Sequence, residues 1–118
     1  MQPIAVDDLL LPGFRAWRRD GFLLAAGDFA AGTYNCMTVG WGGIGCLWDR
    51  PVALVAVKPT RHTFGFLERF PSFTLNHFTP EFRKALLESL RSSSRAGHHH
   101  RFFFGEVRTV LGEAQYTR

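Results

Sequence analysis

The run Asn35-Cys36-Met37-Thr38-Val39-Gly40-Trp41-Gly42-Gly43-Ile44-Gly45 constrains the fold of this chain more than any other stretch. Gly40, Gly42 and Gly45 satisfy G-x-G-x-x-G, the fingerprint of a dinucleotide-binding turn. That turn works only between a strand and a helix, because amides at the helix N-terminus hold the pyrophosphate. Here the glycines lead into Cys46-Leu47-Trp48-Asp49-Arg50-Pro51, which offers no N-cap and no helical apolar period and ends in proline. The better reading is two β-strands bent by glycine, with Asn35, Thr38 and Trp41 presented to a flat ligand.

The flanking segments agree with a β-rich chain. Residues 22–26 form a short apolar run, read as a buried strand closed by Gly27-Asp28. Residues 35–40 and 43–48 are the next two strands, and Asp49-Arg50-Pro51 is a turn. Residues 52–57 are almost wholly apolar and valine-rich, which predicts a central strand. Thr60 is the expected N-cap of a helix reaching Arg69, with Phe64, Leu67 and Phe70 on its buried face and Pro71 as its stop. Residues 73–78 predict a further strand. Thr79-Pro80-Glu81 predicts the start of a helix with a stripe of Phe82, Leu86 and Leu90. Ser92-Ser93-Ser94-Arg95-Ala96-Gly97 is a linker, and residues 101–111 read as one strand. Residues 1–21 are mixed and end in a turn signal, Arg18-Arg19-Asp20-Gly21.

With 118 residues the chain is a single domain, 1–118. Its twelve phenylalanines can fill one modest core. The net charge of +4 suits an anionic partner, which a cofactor phosphate satisfies as well as a polynucleotide would. No basic run is interleaved with aromatics, so no nucleic-acid partner is expected. Cys36 and Cys46 lie in apolar surroundings and read as two buried thiols, with no C-x-x-C and no zinc spacing. No secretory leader or membrane-length apolar run is present, which predicts a soluble cytoplasmic protein without a membrane partner.

Lys58, Thr60, Arg61 and Thr63 form the best candidate phosphate site, where a strand passes into a helix. Free amides and the positive end of the helix dipole favour an anion there, and a guanidinium can grip phosphate oxygens as a fork. The alternative is an ordinary solvated helix start. In an extended strand Asn35, Met37, Val39 and Trp41 share one face and Cys36, Thr38 and Gly40 the other. Asn35 offers a donor and an acceptor, and Trp41 a flat wall. The competing role is that of an interior strand with a surface Asn. His62 and His77 read as structural. His98-His99-His100 resembles a metal clamp, yet neighbouring residues of a strand point apart, so no metal is expected.

Asn-x-Met-Thr-x-x-Trp-Gly from Asn35, Trp48-Asp49-Arg50-Pro51, and Lys58-Pro59-Thr60-Arg61-His62-Thr63 together resemble the flavin reductase-like proteins of the FMN-binding split barrel, the flavoredoxin branch in particular. The resemblance runs from about Phe22 to Leu86, and His100 to Val107 looks like the closing strand of that branch. It implies a mainly β chain with short helices, an antiparallel split β-barrel. This barrel is shortened near residues 91–98, where relatives carry further strands. It also implies FMN held by Asn35, Met37, Thr38, Trp41, Lys58, Thr60, Arg61 and Thr63, with His100 close to the flavin, and a homodimer. The implied activity is hydride transfer from NAD(P)H to flavin. Such chemistry belongs to the ring, so no catalytic triad is required. A non-enzymatic FMN-binding electron carrier and a shortened inactive relative are the rival readings.

Overall fold

The computed structural model describes residues 2–78 and 100–112. Eight strands dominate: β1 Gln2–Ile4, β2 Phe22–Asp28, β3 Thr33–Val39, β4 Gly42–Leu47, β5 Arg50–Val57, β6 Phe73–His77, β7 Arg101–Glu106 and β8 Val110–Gly112. Among the described residues one α-helix, α1, spans His62–Arg69. A 3-10 turn at Val6–Asp8 and a π-helical turn at Ala16–Asp20 lie between β1 and β2. The predicted helix from Thr79, its stripe of Phe82, Leu86 and Leu90, and the linker at residues 92–97 lie outside the described residues.

The strands form two three-stranded antiparallel sheets, β3-β2-β6 and β4-β5-β7, and a small β1-β8 pair, none of them closed into a barrel. β5 is central to its sheet, as its valine-rich run predicts. In the first sheet Phe22 opposes Val39 and His77, and Leu24 opposes Met37 and Leu75. Alternation therefore sends Phe22, Leu24, Ala26, Met37 and Val39 to one face. There they join Val55 and Val57 of β5 and Phe64 and Leu67 of α1 in one core. The phenyl ring of Phe73 on β6 reaches β7 at Gly105, where a Cβ would stand 3.0 Å from it. The missing side chain at Gly105 thus admits the aromatic that ties the two sheets together.

The glycine run is resolved as a close-packing device. Gly42 and Gly45 lie within β4 itself, so the helix that a dinucleotide turn requires is absent. At Gly42 a Cβ would collide with the Leu54 carbonyl oxygen and lie 2.7 Å from the Trp17 ring. At Gly45 it would meet nothing.

Several local expectations shift. The β4–β5 turn is made by Trp48 and Asp49, at φ 51° and 61°, while Arg50 and Pro51 already belong to β5. Leu47 pairs with Arg50, which leaves a two-residue hairpin loop with both residues left-handed. Residues 101–111 are not one strand: β7 pairs with β5, and β8 turns away to pair with β1. The N-cap of α1 is Arg61, not Thr60, and it carries no side-chain cap. Phe70 is the C-cap in extended conformation, as a residue before proline must be. Cys36 and Cys46 are exposed thiols rather than buried ones, because Cys36 falls on the face of β3 away from the core and Cys46 lies on the edge strand β4.

Candidate functional site

The site is built where β3 and the β5-to-α1 connection meet. Asn35 stands opposite Ala26 on the core-side face of β3, where that face reaches the solvent boundary. Its amide Nδ2 donates to Oγ1 of Thr63 at 2.8 Å. The bond joins residues 28 positions apart, one from each of the two segments that the sequence singled out. Thr63 is 1% exposed, in the first turn of α1. Its hydroxyl therefore serves to hold the Asn35 amide in one orientation.

The connection itself is short and tight. β5 ends at Val57, the Arg61 amide donates to the Lys58 carbonyl at 3.0 Å, and the Phe64 amide donates to the Arg61 carbonyl at 3.0 Å. Lys58 and Arg61 are half-buried, and Thr60 is exposed. The first turn of α1 contains no acidic residue. A helix start with unneutralised amides and two nearby cations is a region of positive potential. Arg101, at the start of β7, lies over the Phe64 ring with its Cζ 5.7 Å from the centroid and adds a third cation to this end of α1.

Trp41 is placed differently from its expected position. It lies in the bend between β3 and β4, not on the β3 face that carries Asn35, and it is 53% exposed. Its carbonyl accepts from the Ala56 amide at 3.0 Å, and its ring rests on that of His100 with centroids 4.5 Å apart. Trp41 precedes β4 and His100 precedes β7, so the two strands flanking β5 contribute one ring each. Met37 is buried in the core, and Thr38, 1% exposed, is buried on the opposite face of the sheet. The eight predicted residues thus divide into three places. Asn35, Lys58, Thr60, Arg61 and Thr63 gather at the start of α1, Trp41 lies tilted against His100, and Met37 and Thr38 lie within the protein.

A second polar cluster escaped the sequence reading. His77 Nε2 lies 2.9 Å from Asp20 Oδ2, with side-chain exposures of 9% and 6%, and Arg15 Nε is 3.9 Å from the same oxygen. The Phe22 ring lies against His77 at 5.3 Å. The His77 side chain is nearly buried against Asp20, a partner that the sequence shows only as part of the turn signal Arg18-Arg19-Asp20-Gly21. No local signal identifies that partner, because it is the pairing of β2 with β6 that brings the two together. His62 is exposed and edges onto Phe66 at 5.4 Å. His98 and His99 lie outside the described residues, and among the described residues no group of His, Cys, Asp or Glu could hold a metal. Also among them, no helix is long and apolar enough to cross a membrane.

Compared with known proteins, the chain matches no family model, no curated protein and no solved structure.

Proposed function

We propose that this chain binds FMN, with the phosphate at the start of α1, and that it acts as an NAD(P)H-dependent flavin reductase of the split-barrel type. The observation that carries the reading is the 2.8 Å hydrogen bond from Asn35 to Thr63. It couples a residue suited to the edge of a flavin ring to the first turn of a helix suited to its phosphate. Arg61 and Lys58 supply charge to that phosphate, Thr60 an exposed hydroxyl, and Thr63 positions Asn35. The tilted Trp41–His100 ring pair is a candidate wall for the ring system. Met37 and Thr38 support the strand from within. Bound flavin would accept a hydride from the nicotinamide, while the protein binds and orients both partners.

The likeness in sequence motifs supports a barrel completed by a second copy. The face of β4-β5-β7 away from the core favours such a partner. Phe102 and Phe104 rise from its β7 edge at 63% and 61% exposure, while on its β4 edge, across β5, Gly43 and Gly45 carry no side chain and a Cβ at either would meet nothing. Under a two-fold axis the phenylalanine ridge of one copy would lie against the side-chain-free edge of the other.

The test is the absorption spectrum of the purified protein, followed by titration with FMN and riboflavin. Arg61→Ala is expected to weaken FMN about ten- to a hundredfold and riboflavin little, since only FMN carries the phosphate. Equal weakening of both ligands removes the phosphate assignment. Failure to bind either flavin removes the reading as a whole. Bleaching of bound flavin by NADH or NADPH is the expected result for a reductase; flavin that binds but is not reduced by either identifies an electron carrier instead.

A further inference from the structure

Among the described residues β4 pairs with β5 alone and forms an edge of its sheet. The Ala56 amide donates to the Trp41 carbonyl at 3.0 Å, which extends the ladder one step past the Gly42–Val55 pair. In an antiparallel ladder, residues bonded to one neighbour alternate with residues whose amide and carbonyl point the other way. Trp41, Gly43, Gly45 and Leu47 therefore bond inward to β5. Gly42, Ile44 and Cys46 turn their backbone groups outward. Proteins usually blunt such an edge with charge, proline or a bulge. Residues 41–48 contain no charged residue and no proline, and the register with β5 is unbroken from Gly42 to Leu47.

The side chains along this edge are arranged symmetrically about Ile44, which is 51% exposed. Gly43 and Gly45 flank it at one step, Gly42 and Cys46 at the next, and Trp41 and Leu47 beyond them, at 53% and 39% exposure. The edge therefore reads alike in both directions, which is what a two-fold contact between identical strands requires. Place Ile44 opposite Ile44 of a second copy, with the strands antiparallel. Every outward residue then meets an outward residue, Gly42 facing Cys46 of the other copy and Ile44 facing its counterpart. A shift by one residue sets outward groups against inward ones. A shift by two leaves an outward residue of each copy beyond the end of the other's strand. In the register centred on Ile44, Trp41 of each copy faces Leu47 of the other at a non-hydrogen-bonded position, where side chains approach most closely. The exposed apolar side chains of the edge cover one another, and no like charges meet.

We propose that β4 is a strand-addition edge for a second copy of this chain, paired antiparallel about Ile44, so that the two β4-β5-β7 sheets become one continuous sheet. The contact is separate from the phenylalanine ridge on β7 and does not depend on flavin being bound.

The experiment uses the full chain with Cys36 and Cys46, both exposed thiols, changed to Ser. In that background Ile44→Cys should form a disulfide-linked dimer on mild oxidation, because residues directly opposite at a hydrogen-bonded position hold their Cα atoms about 5.5 Å apart, within disulfide reach. Leu47→Cys should not, since the two copies of residue 47 lie about 20 Å apart along the strands. Ile44→Lys and Ile44→Glu each set like charges opposite one another and should raise the dimer dissociation constant at least about tenfold in sedimentation velocity. Mixing the two charge variants should restore the dimer. Phe104→Ser should leave the Ile44→Cys cross-link intact, so failure of this edge and failure of the ridge contact are read apart. Circular dichroism checks that each variant is folded; where a charge variant is not, the cysteine pair decides. The proposal is overturned if the parent is monomeric at every concentration, if Leu47→Cys cross-links as fast as Ile44→Cys, or if folded Ile44→Lys dimerises like the parent. A mixture of folded charge variants that stays monomeric also overturns it.

Discussion

The two three-stranded sheets have the same size and the same antiparallel pairing, yet they treat their second faces differently. β3-β2-β6 buries Ala25 at 5% and Thr38 at 1% on the face away from the shared core. That face leaves Cys36 exposed, and β4-β5-β7 buries Ala56 at 7% on its corresponding face but leaves Phe102 and Phe104 of its edge strand β7 largely exposed. The first sheet also takes in charge, pairing Asp20 with His77, whereas the second keeps its ion pair, Arg50 with Glu106 at 3.2 Å, in solvent. Strand pairing therefore does not set burial. What lies over a sheet does, and among the described residues the β7 edge of the second sheet presents two exposed phenylalanines.

The sharpest test of this difference is at β4. Gly42→Ala puts a methyl into the Leu54 carbonyl and the Trp17 ring, and backbone cannot yield cheaply, so a loss of about 3 kcal/mol or more is expected. Gly45→Ala, which meets nothing, should change stability by less than about 0.5 kcal/mol. Urea unfolding of the two variants measures both. Equal effects would mean that Trp17 does not pack on β4.

Next come the two faces themselves. Leu24→Ala removes a fully buried side chain and should cost about 2–5 kcal/mol. Phe104→Ser on the open face should cost far less in the unfolding of a single chain. If a second copy covers that face, sedimentation velocity should show the Phe104→Ser variant shifted from dimer to monomer. A parent protein that is monomeric at all concentrations would remove the dimer from the proposed function.

The buried pair in the first sheet should give a smaller effect. Asp20→Ala leaves the His77 ring without its carboxylate and should cost about 1–3 kcal/mol in thermal or urea unfolding. The matching change on the second sheet, Glu106→Ala, should cost less than about 1 kcal/mol, since that pair is exposed. A larger loss at Glu106 than at Asp20 would reverse the contrast between the sheets.

The smallest expected effect has the opposite sign. Trp48 holds φ 51° at 89% exposure, a left-handed conformation that a bulky side chain disfavours. Trp48→Asn should raise stability by about 0.5–1 kcal/mol, read as an increase in the urea midpoint. No gain would show that the indole packs on something beyond the described residues.

The sequence by itself determined the elements whose signals are local. The apolar runs at β2 and β5, the proline after α1, and the want of a helix beyond Gly45 are statements about neighbouring residues, and each reappears in the fold. It also singled out both partners of the Asn35–Thr63 bond, because an amide on a strand and a hydroxyl at a helix start carry recognisable chemistry. Tertiary structure alone decided which glycine was indispensable, since G-x-G-x-x-G treats Gly42 and Gly45 alike and only the approach of Leu54 and Trp17 separates them. It likewise decided that Trp41 meets His100 rather than sharing a face with Asn35, and that Asp20, within its turn, is a buried partner of His77. Those contacts come from strand register and sheet packing. They link residues far apart in the chain, and no local propensity or spacing encodes such distances.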